Sequence, residues 1–213
     1  MSDTAVAVRH WERVCHLVGQ LPETRERLAL AAAARAQLCW IEARRGVAPE
    51  RARALYEQAQ DFAQRAGDLS SLARSRFTYA LSLQYSGQPG GPELARQALA
   101  EAERSGDLEV RIVGHWTCGV MAYFTQDLSE AVRQCEAGIA LCGDDLDVGA
   151  QALMYSPWII LRGIAGGALA LSGRLAESTA FIEQCLGDHG RRHRLAQVIW
   201  LHDTKLKSIP REL

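Results

Sequence analysis

The residues best suited to chemistry in this sequence are histidines and cysteines at helical spacing. His115 and Cys118 lie three residues apart, and Cys185, His189 and His193 follow one another at intervals of four. Side chains at these intervals lie on one face of an α-helix, where they could ligate zinc. Two glycines interrupt the second set, and neither set supplies the four ligands of a closed zinc site. We therefore predict no metal site.

The motifs of common enzymes and nucleotide-binding proteins do not occur in the sequence. It contains no GxSxG nucleophile turn, no HExxH zinc motif and no phosphate-binding GxxxxGK[ST] segment. Gly163, Gly166 and Gly167 fall inside a helical pattern with no strand before them, so they favour close helix packing over a nucleotide loop. The acidic loop at 144–147 lacks the distal glutamate of a calcium site. The sequence therefore predicts a protein without catalytic residues or cofactors.

The charge balance argues against nucleic-acid and membrane partners. The chain carries 24 Lys+Arg and 25 Asp+Glu residues, a formal net charge of −1, so no overall field attracts phosphate backbones or anionic lipids. The basic run 191–194 is short and typical of a solvated surface. The most apolar run, 158–171, contains Arg162 and is shorter than the roughly 20 residues of a membrane helix. With charges in place of an N-terminal secretion signal, the sequence predicts a cytoplasmic protein.

The elements that must position any functional side chain are predicted to be helices. Apolar residues recur at helical spacing, as in Leu55, Ala59, Phe62 and Ala66. Gly-Asp pairs end successive alanine-rich segments at steps of 39, 37 and 44 residues, at Gly67-Asp68, Gly106-Asp107, Gly143-Asp144 and Gly187-Asp188. Glycine adopts the left-handed conformation that ends a helix, and the following aspartate can cap the next one. A second set of breaks lies between these pairs, at Gly46, Gly87, Gln126-Asp127 and Gly173.

Each period of the pattern therefore contains two helices and two turns. A two-helix hairpin of this size cannot bury its apolar face alone, and such periods are typical of a stacked α-solenoid. We predict one all-α domain over residues 1–213 with about four tetratricopeptide-like hairpins. Their ranges are 24–67, 68–106, 107–143 and 144–187, after an entering helix at 4–20 and before a closing helix at 193–207.

Three segments of the sequence resemble a known family. They are LPETRERLALAAAARAQLCW (21–40), ERARALYEQAQDFAQRAGD (50–68) and MYSPWIILRGIAGGALALSGRLAES (154–178). They are similar to the tetratricopeptide-like region that follows the cyclase and ATPase domains of bacterial class III adenylate cyclases and related signal-transduction ATPases. The resemblance extends over about residues 20–188 and implies a regulatory helical array without the enzyme.

The hairpin 107–143 also fits the general tetratricopeptide pattern, with two departures. Gly119 and Ala131 stand at the small positions where its two helices approach closely. His115 stands where the motif usually has tryptophan, and Cys135 where a large aromatic residue is usual. The resemblance implies a concave binding side lined by Arg74, Phe77, Gln84, Tyr85, Trp116, Val120, Tyr123 and Phe124. Alternatively, the aromatic residues Phe77, Trp116 and Phe124 pack between helices.

These observations favour a non-catalytic interaction or regulatory module. Aromatic and arginine side chains in a preformed groove are typical of peptide recognition, so we expect the partner to be a protein segment or a signalling domain. One alternative is a small-ligand sensor with a pocket around Trp158 and Gly163. Another is a truncated remnant of a cyclase-type or ATPase-type regulator.

Overall fold

The computed structural model describes residues 3–46, 48–143, 145, 148–150 and 156–186. Within these ranges every regular element is an α-helix, which confirms the all-α prediction. The predicted closing helix, the last Gly-Asp pair and the basic run 191–194 lie outside the described residues. The helices are α1 Asp3–Gly19, α2 Arg25–Arg44, α3 Pro49–Ala66, α4 Leu69–Tyr85, α5 Gly91–Ser105, α6 Leu108–Phe124, α7 Leu128–Cys142, α8 Pro157–Leu171 and α9 Leu175–Leu186.

The first two predicted Gly-Asp breaks end one helix and start the next, as expected, whereas Asp144 of the third pair lies outside the described residues. Gly67 and Gly106 adopt left-handed conformations with φ of +62° and +70°. The carboxylate of Asp68 then accepts a hydrogen bond from the Ser71 N–H at 3.1 Å, and that of Asp107 accepts one from the Val110 N–H at 3.2 Å. These bonds satisfy amides at the starts of α4 and α6 that have no partner within the helix.

The chain divides into two compact units, Met1–Thr117 and Cys118–Leu213. In the first unit α1 packs on α2, α2 on α3, α3 on α4 and α4 on α5, and α2 also contacts α4. Buried alanines such as Ala32, Ala59 and Ala63 allow the helix backbones to approach closely. The buried Gln60 amide links α3 to α4, because it donates to the Leu72 carbonyl at 3.1 Å and to the Ser75 hydroxyl at 2.5 Å.

The second unit consists of the end of α6 with α7, α8 and α9. Here α7 packs on α8 and α8 on α9, around a core of Ala122, Ala131, Val132, Ala168 and Leu169. Gly119 allows α6 to approach α7, since a Cβ at this position would lie 2.9 Å from the Cys135 sulfur. Gly119 is therefore a position of close approach between α6 and α7.

Cys39 is a buried free thiol in the core of the first unit, and it gives stability a predictable pH dependence. Burial raises the pKa of the Cys39 thiol to about 12, whereas an exposed cysteine has a pKa of about 8.5. Between these values the unfolded chain ionises and the folded chain does not. Below about pH 8.5 the thiol is protonated in both states and does not affect the free energy of unfolding. Above this pH its ionisation in the unfolded chain lowers the free energy of unfolding by up to about 1.4 kcal/mol per pH unit.

Cys39→Ala removes this contribution, so the free energy of unfolding of the variant should fall less steeply between about pH 9 and pH 11. Urea denaturation at a series of pH values measures both slopes, and the comparison does not depend on the stability that the variant loses at neutral pH. Equal slopes for the two proteins would contradict the prediction.

Candidate functional site

Three aromatic residues from three different helices form a connected cluster in the first unit. The Trp40 ring of α2 lies 6.3 Å from the Tyr85 ring of α4 and 6.1 Å from the Trp116 ring of α6, measured between centroids. The two tryptophans meet edge to face, with 78° between their planes, an arrangement that aromatic pairs prefer. We call Trp40, Tyr85 and Trp116 the aromatic cluster.

The fold brings these residues together from distant parts of the sequence. Trp40 lies near the end of α2, Tyr85 is the last residue of α4, and these helices contact each other. Gly114 allows α6 to approach α4 and α5, because a Cβ there would lie only 2.8 Å from both the Phe77 ring and the Leu99 side chain. The glycine two residues before Trp116 is therefore what allows α6 to pack closely.

The cluster combines an accessible ring with a buried hydrogen-bond donor. Tyr85 is 48% exposed and Trp40 is partly buried, whereas Trp116 is only 8% exposed. The buried Trp116 Nε1 has no hydrogen-bond partner among the described residues. Leaving such a donor unpaired costs about 1–3 kcal/mol, so the cluster contains a polar group that an acceptor would stabilise.

Arg74 extends the same face of α4 beyond the aromatic cluster. It precedes Tyr85 by three helical turns, a distance of about 16 Å along the helix. The Arg74 guanidinium lies 3.7 Å from the carboxylates of both Asp107 and Glu109. The partly buried Gln84 lies next to Tyr85 at the end of this helix. Arg74, Gln84 and Tyr85 are the predicted groove residues of the first unit that retain exposure, whereas Trp116 is buried.

The other predicted groove residues have different surroundings. Phe77 is buried against Gly114, so a partner cannot reach it, and the packing alternative holds for this residue. Val120, Tyr123 and Phe124 belong to the second unit. Val120 is buried, and the Tyr123 ring lies 3.4 Å from the position of a Cβ on Gly167. Phe124 is half exposed and contacts Tyr123, so it is not a core residue.

Sequence reasoning missed Trp40, which is central to the aromatic cluster. The predicted groove residues all lie in the hairpins 68–106 and 107–143, whereas Trp40 belongs to the preceding hairpin. The sequence does contain one indication of its position. Trp40 follows Leu30, Ala33 and Gln37 at intervals of three and four, which places all four residues on one side of α2.

The histidines and cysteines whose spacing could suit zinc are not grouped as ligands among the described residues. His115 Nε2 is 3.5 Å from a carboxylate oxygen of Glu103, and Cys118 is buried. Across the described residues, no three His, Cys, Asp or Glu side chains are grouped as metal ligands. The set formed by Cys185, His189 and His193 lies outside the described side chains.

The glycine-rich helix α8 of the second unit also carries an aromatic and an arginine side chain that contact each other. Trp158 is buried, and the Arg162 guanidinium carbon lies 4.3 Å from the centroid of its ring. A Cβ at Gly166 would lie 2.9 Å from Ile182 of α9. Gly166 therefore permits close packing of α8 and α9, as its position in a helical pattern indicates.

Comparisons with known proteins found no match for this chain. Of the helices in the described ranges, none has both the length and the apolar character needed to cross a membrane. The chain matches no family of known proteins, no curated protein and no solved structure.

Proposed function

We propose that the chain is a non-catalytic interaction module that binds a peptide segment of a partner protein at the aromatic cluster. In this proposal the chain is an α-solenoid of about four tetratricopeptide-like hairpins and acts as a cytoplasmic regulatory module without a cofactor. The resemblance to the array that follows class III cyclase domains supports a role in signal transduction.

The order of helix contacts in the first unit supports the solenoid part of the proposal. α3 contacts both α2 and α4, and α2 contacts α4 directly. In a stack of two-helix hairpins, the second helix of each hairpin lies between neighbours and the first helices lie side by side. In the proposed solenoid the first helices present one shared face, to which we assign Trp40, Tyr85 and Trp116.

The aromatic cluster is the observation that carries the proposal. Tryptophan and tyrosine are enriched among the residues that dominate binding energy at interfaces, because they offer a large rigid area at low entropic cost. Tyr85 provides accessible ring area, and its contact with Trp40, which in turn contacts Trp116, holds the ring in place before a partner binds. An apolar side chain of a peptide fits this aromatic surface.

Selection from a displayed library of random peptides tests the proposal directly. Peptides selected on the wild-type protein should bind Tyr85→Ala at least about 30-fold more weakly, which corresponds to about 2 kcal/mol. Because Tyr85 is half exposed, its removal should leave most of the folding stability intact, as a thermal melt would confirm.

Leu17→Ala provides the matched control, since Leu17 is a similarly exposed apolar residue on α1. Its affinity for the same peptides should equal that of the wild type. If the selected peptides bind Tyr85→Ala and the wild type equally well, the aromatic cluster is not the binding site.

A further inference from the structure

Three arginine side chains in the first unit converge on one aromatic ring. The guanidinium carbons of Arg35, Arg65 and Arg27 lie 4.4, 5.4 and 5.9 Å from the centroid of the Phe62 ring. Arg27 and Arg35 belong to α2, and Phe62 and Arg65 to α3, two helices that pack together. Three guanidinium groups therefore lie around the Phe62 ring. We call Arg27, Arg35 and Arg65 the arginine cluster.

Hydrogen bonds to neutral groups hold two of these arginines in place. Arg35 donates through Nη1 to the Ala31 carbonyl and through Nε to the Gln58 side-chain oxygen, each at 3.0 Å. Arg27 donates through Nε to the Val18 carbonyl at 2.7 Å. Because these bonds use only part of each guanidinium, further N–H groups are left for a ligand. Their orientation is fixed before any ligand arrives, which lowers the entropic cost of binding.

The carboxylates near the arginine cluster do not neutralise it. Glu23 pairs with both Arg27 and Arg65, and Asp61 pairs with Arg65 at 3.0 Å. Arg35 has no carboxylate partner among the described residues, since its bonds go to a carbonyl and an amide oxygen. Three positive charges against two negative ones leave one positive charge in excess, in a protein whose formal net charge is −1.

Glu23 occupies part of the space that an external anion would use. Its carboxylate lies between two of the three arginines, yet its side chain is 53% exposed. The residue precedes Thr24, the N-cap of α2, and therefore lies in the turn between α1 and α2. The Glu23 side chain can thus swing away without any loss of helix hydrogen bonds.

We propose that the arginine cluster is a binding site for a tetrahedral dianion, either free phosphate or the phosphate of a phosphorylated side chain. Arg35 provides the unneutralised guanidinium, and Arg27 and Arg65 join it when the ligand displaces the Glu23 carboxylate. Planar guanidinium groups bind phosphate oxygens through paired hydrogen bonds, and a dianion competes well with a single carboxylate. This site is separate from the aromatic cluster and does not depend on the function proposed for it.

Isothermal titration with inorganic phosphate and with a phosphoserine peptide tests the site. The measurements are made at about pH 8, where phosphate monoesters are dianions, and at constant ionic strength. We expect Arg35→Gln to weaken binding about tenfold and Glu23→Gln to strengthen it about tenfold, because the first removes an attractive charge and the second a competing one. Tighter binding of the peptide assigns the site to a phosphorylated partner, and tighter binding of inorganic phosphate assigns it to the free ion.

Arg53→Gln is the matched control, since Arg53 of α3 forms a simple exposed pair with Glu57 and should not affect phosphate binding. Tyr85→Ala should also bind phosphate like the wild type, so that the two sites can fail independently. Thermal melts establish that each variant is folded, and Glu23→Gln still tests the site if Arg35→Gln does not fold. Absence of binding by both the wild type and Glu23→Gln, or equal affinities of Arg35→Gln, Glu23→Gln and the wild type, would overturn the proposal.

Discussion

Arg51→Met is expected to lower the free energy of unfolding by about 2 kcal/mol. The Glu42 carboxylate of α2 is only 5% exposed and accepts a hydrogen bond from Arg51 Nε of α3 at 2.6 Å. Arg51 also contacts Glu12 of α1 at 3.1 Å, so one side chain joins three helices. Removing the arginine leaves a buried charge without its partner. The expected loss lies below the 3–5 kcal/mol of a fully buried pair because Arg51 is 47% exposed and water can reach the site.

Two further variants isolate this effect in urea denaturation. Arg53→Met changes the next arginine along α3, but its pair with Glu57 is exposed, so the loss should stay below about 0.5 kcal/mol. Glu42→Met added to Arg51→Met removes the isolated carboxylate and should recover much of the lost stability. A loss as small as that of Arg53→Met would show that Glu42 does not need its arginine.

Gly114→Ala is expected to lower the free energy of unfolding by about 2 kcal/mol, the opposite of the usual effect of alanine in a helix. Within an open helix the exchange stabilises by up to about 1 kcal/mol. At Gly114, however, the new Cβ would lie 2.8 Å from both Phe77 and Leu99. The Leu99 methyl can move, but the Phe77 ring is buried and can move only by displacing the residues packed around it. Either the ring or α6 must therefore shift.

Gly19→Ala is the matched control because Gly19 is a helical glycine of α1 with no atom near the position of its Cβ. This variant should be neutral or slightly more stable. Phe77→Leu removes the ring atoms that crowd Gly114, so a double-mutant cycle should give a favourable coupling energy of about 1 kcal/mol or more. Additive losses would mean that the ring does not limit the approach of α6.

Local rules predicted much of the helix pattern. Gly67 and Gly106 end their helices, and Asp68 and Asp107 cap the following ones, because these effects depend only on residues close in sequence. The Gln126-Asp127 break was also predicted, although Gln126 has a φ of +63° without being glycine. Asp127 still caps α7 through the Glu130 N–H at 3.2 Å.

The aromatic cluster could be predicted only in part, because it depends on the packing of three helices. Tyr85 and Trp116 were identified from their positions in a repeat, whereas Trp40 comes from an earlier hairpin and was missed. Phe77 illustrates the opposite difficulty, since its spacing suits both a groove and a core. Phe77 is a core residue because it packs against Gly114, which is 37 positions away in sequence.

The arginine cluster was not predicted at all. Arginines account for most of the basic residues of the chain, so no single one stands out by type or spacing. Arg65 is three residues after Phe62, but Arg27 and Arg35 meet the same ring only because α2 packs on α3. Sequence spacing contains no information about a convergence that spans two helices.

The contact between Trp40 and Trp116 makes this pair an intrinsic spectroscopic probe. Two indole rings 6.1 Å apart and held at 78° are close enough to exchange excitation energy and to couple their near-ultraviolet transitions. Any ligand that covers one ring or turns it relative to the other will change the emission and the circular dichroism of this pair. Occupancy of the aromatic cluster can therefore be followed without a label, and Trp40→Phe identifies the part of the signal that comes from the pair.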